Sequence, residues 1–300
     1  MAINRISNFA LFNSTFRDVS GQFSKLADLQ NQISSGYKAS NFEQLNGEVE
    51  RFTSLEARQR QLDQFIQSNS VNIARLKTGD NAINQIVDIA DNMENLMVTR
   101  RSAAGTTVNF KQQMDNFMES LKIELNTTSE GRYLFGGSDT GTLPVEDIFK
   151  APAAIGTPDD NYYTGSKENV TFRVEAALTY QYPVRADDPA FQKIIAAYHK
   201  AIAADQAGDD AGIAAALDLM QQGQEELNAV LGRINSTIVS VEQMNDRHTQ
   251  MKLYMKGVTE QVIKTDLASA ATEISNHEAA LQATFQVYAR LSQLRLSDYL

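Results

Sequence analysis

Residues 12–36 read FNSTFRDVSGQFSKLADLQNQISSG, and the apolar spacing within them decides the fold. Phe12, Phe16, Val19, Phe23, Leu26 and Ile33 follow alternating steps of four and three, interrupted only at Gln30. Such steps line side chains along one stripe of a helix, the geometry by which helix packs on helix. The far end of the chain repeats the pattern in Leu267, Ala271, Ile274, Leu281, Phe285 and Tyr288, skipping Glu278. A chain that opens and closes in such seams is expected to bury them against each other or against other subunits.

The outer faces of the first segment point the same way. Of the first 35 residues, 14 are Asn, Gln, Ser or Thr, and only Arg5, Arg17, Asp18, Lys25 and Asp28 carry charge. A lone solvated helix is normally lined with Glu and Lys. Uncharged amides and hydroxyls suit a face that meets neighbouring protein. An ordinary coiled-coil arm of a soluble dimer would show the same seam, and periodicity alone leaves that alternative open.

Composition narrows the function. The net charge of −10 and a pI near 4.9 argue against nucleic acid, whose phosphates need a basic surface. From Val145 to Glu226 there are 14 Asp/Glu against 6 Lys/Arg, whereas the first 60 residues hold 6 against 7. An acidic middle and near-neutral ends suggest that the middle faces water and the ends face protein. With no cysteine, disulfides, thiolate metal sites and thiol catalysis are excluded. No apolar run approaches the ~20 residues that span a bilayer, so no membrane partner is expected. Residues Phe9 to Phe12 form the longest apolar run near the N-terminus, which is too short for a secretory signal.

All five prolines (Pro144, Pro152, Pro158, Pro183 and Pro189) fall between 144 and 189. Proline costs ~3 kcal/mol inside a helix, so long helices are allowed on both sides of that window and discouraged within it. The expected fold is mainly α: a long antiparallel helical bundle with a terminal coiled-coil pair and a small β-containing insert. Gly36 should stop the first helix as a left-handed C-cap. Ser40 and Glu43 have capping-box spacing for a second helix, expected from Asn41 to about Arg100, with a seam through Leu62, Ile66, Ile73, Leu76, Ile83, Val87 and Met97. Gly47 and Gly79 permit a kink, and Gly105 marks a break. A shorter helix then carries Phe110, Met114, Phe117, Leu121 and Leu125.

Between Glu130 and Val184 the period changes. Val170, Phe172 and Val174 alternate, then Leu178, Tyr180 and Tyr182, as half-buried strands would. Asp188-Pro189 is an N-cap with proline at the first helical position. After a Gly208-Asp209-Asp210 turn, a second long seam through Leu217, Met220, Leu227, Leu231, Ile234, Ile238, Val241 and Met255 can pair antiparallel with the first, and Gly257 is expected to end it. The implied domains are 1–40 with 260–300 as a terminal helical core, 41–130 with 188–259 as a helical rod, and 131–187 as a β-containing outer insert.

Chemistry-bearing patterns are sparse. His199, His248 and His277 have no second histidine at metal-binding spacing, and His248 falls on the seam seven residues after Val241, so packing is its expected role. There is no P-loop, GxGxxG or GxSxG. Asp139-Thr140-Gly141 spells the aspartic-protease triplet once, but that chemistry needs two carboxylates. A turn explains it better. No enzyme activity, cofactor or metal is expected.

Four stretches carry a resemblance to the bacterial flagellin-like axial proteins, most closely those of the hook–filament junction. Gln32-Ile33-Ser34-Ser35-Gly36 looks like the family's Leu/Met-Ser-Ser/Thr-Gly turn. Gly131-Arg132-Tyr133-Leu134-Phe135-Gly136-Gly137 is similar to its Tyr-Leu-Phe-Gly-Gly turn. Tyr162-Tyr163-Thr164-Gly165, with the alternating segment after it, resembles the next part of those proteins. The ending Leu291-Ser292-Gln293-Leu294-Arg295-Leu296-Ser297-Asp298-Tyr299-Leu300 looks like the junction proteins' tail. One loop departs: Tyr37-Lys38-Ala39-Ser40-Asn41-Phe42-Glu43 replaces the family's basic and Asp-Asp-Pro residues.

The resemblance implies a structural part of the bacterial flagellum that joins hook to filament as an adaptor ring, with a minor flagellin as runner-up and a soluble coiled-coil adaptor as rival. It implies an extracellular location reached without a cleaved signal peptide. It implies self-association in a ring, contact with a neighbouring hook-associated protein and with flagellin, a cytoplasmic export chaperone and the flagellar type III export apparatus. The assembly interface is then expected at Phe12, Phe16, Val19, Phe23, Leu26, Ile33, Leu267, Ile274, Leu281, Phe285 and Tyr288.

Overall fold

The computed structural model describes residues 2–38, 47–102 and 109–297, with side chains described only from 13 to 290 within them. The capping box at Ser40 and Glu43, most of the departing loop and the expected break at Gly105 lie outside the described residues, as do the Phe12 side chain and the side chains of the 291–300 tail. The fold is mainly α. Among the described residues there are six helices, with two small antiparallel hairpins between the third and the fourth: α1 (Ala2–Ser35), α2 (Val49–Ser102), α3 (Phe110–Leu125), β1 (Thr128–Ser129), β2 (Arg132–Tyr133), β3 (Thr171–Glu175), β4 (Leu178–Gln181), α4 (Pro189–Ala207), α5 (Asp210–Ile263) and α6 (Leu267–Ser297). The chain divides into two units, Met1–Gln61 with Met251–Leu300, and Leu62–Gln250.

In the Leu62–Gln250 unit, α2 and α5 run antiparallel. Asn245 donates to Ser70, Lys77 pairs with Glu242, Asn235 donates to Asp80, Gln224 to Asp91 and Gln221 to Glu94. As the α2 number rises the α5 number falls in step, so the polar contacts form a ladder beside an apolar seam. That seam is stricter than the large side chains suggest. Leu62, Asn69, Leu76, Ile83, Ala90 and Met97, seven residues apart, are all buried on α2. Ile213, Met220, Leu227, Ile234, Val241 and His248 do the same on α5. A seven-residue burial period is the mark of coiled-coil packing.

The chain between α3 and α4 closes the other side of this core. Asn126, past the end of α3, accepts from the Val145 N–H at 2.9 Å and donates to its carbonyl at 2.8 Å. Glu130 and Gly131, both at positive φ, make the two-residue turn of β1–β2. Leu134 and Phe135 then enter the core with Val145, Ile148, Tyr162 and Val184. Gly136-Gly137 is obligatory at the next step: a Cβ on Gly137, where φ is +66°, would sit 2.0 Å from the Ser166 carbonyl oxygen. Asp139 Oδ1 accepts from the Gly141 and Thr142 N–H groups, both at 3.2 Å, so the Asp-Thr-Gly string is a turn.

Helix boundaries follow local chemistry. Gly36 (φ +77°) and Gly208 (φ +67°) end α1 and α4 in the left-handed conformation that only glycine adopts without strain. Asp188 caps α4 by accepting from the Ala190 N–H at 3.3 Å, with Pro189 in the first turn. The α2 helix continues through Gly79 as expected, and that glycine is a contact, with Tyr182 against its α-carbon face. One expectation needs correction. The α5 helix likewise continues through Gly257 to Ile263, since a glycine costs a long packed helix only about 1 kcal/mol. The true break is at Lys264–Asp266. There Lys264 bridges Tyr37, and Asp266 Oδ1 accepts from the Ala268 and Ser269 N–H groups at 3.0 and 3.2 Å, starting α6.

Candidate assembly interface

The terminal unit pairs α1 with α6. Their junction is tied by backbone: Lys38 donates to the Ile263 carbonyl at 2.7 Å, and Thr265 to the Gly36 carbonyl at 3.0 Å. Farther along, Gln22 meets His277 through its side-chain oxygen and the imidazole Nδ1. Farther still, Thr15, Phe16 and Val19 face Thr284, Phe285 and Tyr288 across an apolar groove of about 240 Å³. The α6 number falls as the α1 number rises, so the pair is antiparallel. At the base Lys264 and Glu260 are joined by a side-chain hydrogen bond at 2.6 Å, which raises the ammonium and lowers the carboxyl from their ordinary values.

Burial divides the expected seam in two. On α1, Val19, Leu26 and Ile33 are half-buried, and Leu29 is buried. Their spacing continues through Thr15 and Gln22, giving an inward edge at 15, 19, 22, 26, 29 and 33 in steps of four and three. Phe16 and Phe23 stand one position off that edge and are exposed, Phe16 at 67%. The α6 helix repeats the division: Ala270 and Leu281 are buried, while Ile274, His277 and Thr284 are half-buried. Leu267, Phe285, Val287 and Tyr288 are exposed, Phe285 at 50%. Of the expected interface residues, Val19, Leu26, Ile33, Ile274 and Leu281 therefore face the intrachain pair. Phe16, Phe23, Leu267, Phe285 and Tyr288 are exposed, and Phe16, Phe285 and Tyr288 among them line the rim of the groove between the two helices.

Sequence reading missed Leu29, Ala270, Gln22 and His277 on the inward edge. The steps through 15, 19, 22, 26, 29 and 33 were visible without interruption, but Thr15 and Gln22 are polar and the competing register through Phe16 and Phe23 is more apolar. Both registers share Val19, Leu26 and Ile33.

His248, also on the expected seam, is buried in the other unit, where its ring stacks on Phe65 at 5.6 Å between centroids. His199 lies on α4 against Tyr198. Burial holds its imidazole below the ordinary value, partly offset by Asp159, Asp147 and a hydrogen bond to the Lys150 backbone. Among the described residues no three His, Asp or Glu side chains come together as a metal site needs, and no helix is long and apolar enough to cross a membrane.

These features define a mainly α chain with its first and last helices paired and with large apolar side chains left exposed on that pair. Residues 6–140 match the model of the bacterial flagellin N-terminal helical region. In structure the chain is similar to FlgL of Bacillus cereus, at a TM-score of 0.55 and 17% identity over 70% of this chain and 99% of that one. It is also similar to a protein described as a putative flagellar hook-associated protein from Vibrio parahaemolyticus, at a TM-score of 0.57 and 16% identity over 71% of this chain and 96% of that one. No curated protein sequence matches. At these identities the likeness to the solved structures is one of fold.

Proposed function

We propose that the chain is a non-enzymatic structural subunit that joins the flagellar hook to the filament, adapting one helical lattice to another. The observation that carries this reading is the division of the terminal seam. The α1–α6 pair satisfies one edge within the chain and keeps Phe16, Phe23, Leu267 and Phe285 in water. Large apolar side chains left exposed on a folded protein favour an interaction site, most of all where they gather as Phe16 and Phe285 do at one groove. Copies of the same chain in a ring are the occupants proposed for it. A neighbouring hook-associated protein and flagellin sit above and below, and a cytoplasmic chaperone covers α6 before export through the type III apparatus to the cell exterior. In this arrangement residues 1–40 and 260–300 form the inner helical core, 41–130 and 188–259 the rod, and 131–187 the outer insert.

A deletion strain tests this directly. Hooks should remain while unassembled flagellin is released into the medium and motility is lost. Antibody label should fall at the distal end of the hook. Normal motility would overturn the reading, and label along the whole filament would make the chain a filament subunit.

A further inference from the structure

We propose that the Val174 carbonyl is a register lock for the α2–α5 pair, closed by Asn69 and His248 and presented by the β3–β4 hairpin. The inference stands on the Leu62–Gln250 unit and does not depend on the junction reading. Asn69 is the one polar side chain in the α2 heptad ladder and is 0% exposed; His248 is its counterpart at the end of the α5 ladder, 3% exposed. The same antiparallel offset that pairs Lys77 with Glu242 brings these two positions level. They meet at one atom: Asn69 Nδ2 donates to the Val174 oxygen at 3.2 Å and His248 Nε2 at 3.0 Å.

That oxygen is free to accept both because the hairpin is irregular at this residue. Phe172 pairs with Tyr180 and Arg173 with Thr179, but Glu175 pairs with Leu178, leaving Val174 as the extra residue of a β-bulge. Bulges leave one residue out of the ladder and re-aim its groups. The Val174 side chain fills the adjoining small core with Val241 and Met244. Its carbonyl meanwhile reaches both helices.

The chemistry explains why polar residues occupy seam positions. An apolar ladder of Leu, Ile and Met has nearly equivalent partners one heptad away, so burial alone discriminates poorly between registers. A single polar position in a seam fixes register at a cost in stability, because any slip leaves it buried without a partner. Asn69 shows that cost: its Oδ1 is buried without a hydrogen bond. Here the partner is a carbonyl from a third element, so the lock also clamps the hairpin onto the helices.

The test uses the full chain, whose lack of cysteine allows specific labelling. Spin labels at Lys77→Cys and Glu242→Cys report the α2–α5 offset, and hydrogen exchange reports the β3–β4 amides. The expected result for Asn69→Leu/His248→Leu is retained helical content, hairpin exchange faster by roughly tenfold or more, and a broadened or split distance distribution. His248→Gln, which keeps a donor toward the carbonyl, should behave as the parent in both readouts. An unchanged distance and unchanged exchange in the double variant would overturn the proposal. So would a His248→Gln chain as perturbed as His248→Leu, or a double variant that loses its helices, since the pair would then serve general stability and not register.

Discussion

Gly79 and Tyr182 meet so closely that a methyl group cannot come between them: a Cβ on Gly79 would lie 2.6 Å from the Tyr182 hydroxyl oxygen but 3.7 Å from the ring carbon that bears it. The phenol packs over the buried backbone of α2 at this glycine, and its hydroxyl donates to the Arg75 carbonyl at 3.3 Å. Burial pushes this hydroxyl far above the ordinary tyrosine value, so it remains a donor.

The contact sets two effects against each other. Gly79→Ala gains about 1 kcal/mol of helix propensity and incurs overpacking of about 1–3 kcal/mol. Overpacking should win, with net destabilisation in urea titrations. In a Tyr182→Phe background the obstructing oxygen is gone and the remaining 3.7 Å contact is ordinary. There Gly79→Ala should become neutral or stabilising. Equal costs in both backgrounds would show that the hydroxyl is not what excludes the methyl group.

His199 predicts an acid sensitivity. Its folded-state value lies below the ordinary imidazole value because burial disfavours the charged form. The unfolded chain therefore takes up the proton first. The stability this group contributes is complete above about pH 6.5 and is lost as the pH falls from there through the depressed folded value. His199→Gln does not titrate in this window. The drop in melting temperature from pH 7.5 to pH 5.5 should be smaller in the variant than in the parent chain.

Asp188 joins two functions that its Ala and Asn variants can separate. Its carboxylate caps α4 and also accepts from Arg233 Nη2 at 2.6 Å. Asp188→Ala should cost about 1–2 kcal/mol from the cap. Asp188→Asn retains a capping oxygen and should recover most of that, since the pair with the partly exposed Arg233 adds little. Chemical denaturation of both variants decides it: an Asn variant as unstable as the Ala variant would show that the ion pair, and not the cap, holds this end of α4.

The features legible in the sequence are those set by neighbours along the chain. Proline clustering, Asp188-Pro189, Gly36 and Gly208 act locally, and each stands where the residue types place it. The alternation through Phe172, Val174, Leu178 and Tyr180 likewise gives β3 and β4. Features set by a partner distant in sequence were hidden. Gly79 reads only as a weak point in a long helix until Tyr182 is placed on it, and Gly257 reads as a terminus although the capping carboxylate is Asp266. Asn69 looks like a gap in an apolar seam because its acceptor lies 105 residues away on a bulge no periodicity announces. In the terminal helices the stripe was legible, but the division of its residues between intrachain and outer faces was not. Periodicity fixes spacing along a helix, and two registers one position apart share half their members.

That division makes Leu281 and Phe285 a diagnostic pair, four residues apart on α6 with opposite environments. Leu281 is 6% exposed against α1, so Leu281→Ala should cost about 2 kcal/mol or more and loosen the α1–α6 pair in the isolated chain. Hydrogen exchange of α1 and α6 amides would report the loosening. Phe285→Asp removes an exposed ring and should change the stability of the isolated chain by no more than about 0.5 kcal/mol. In an assembly the same carboxylate would be buried unpaired in every copy, a cost that repeats around a ring. Self-association of the purified chain, followed by sedimentation, and junction assembly in cells should therefore fail for Phe285→Asp while its monomer melts as the parent does. A Phe285→Asp monomer whose α1–α6 amides exchange as fast as those of Leu281→Ala would show that Phe285 belongs to the intrachain fold, and the exposed apolar side chains would lose their assignment as the assembly surface.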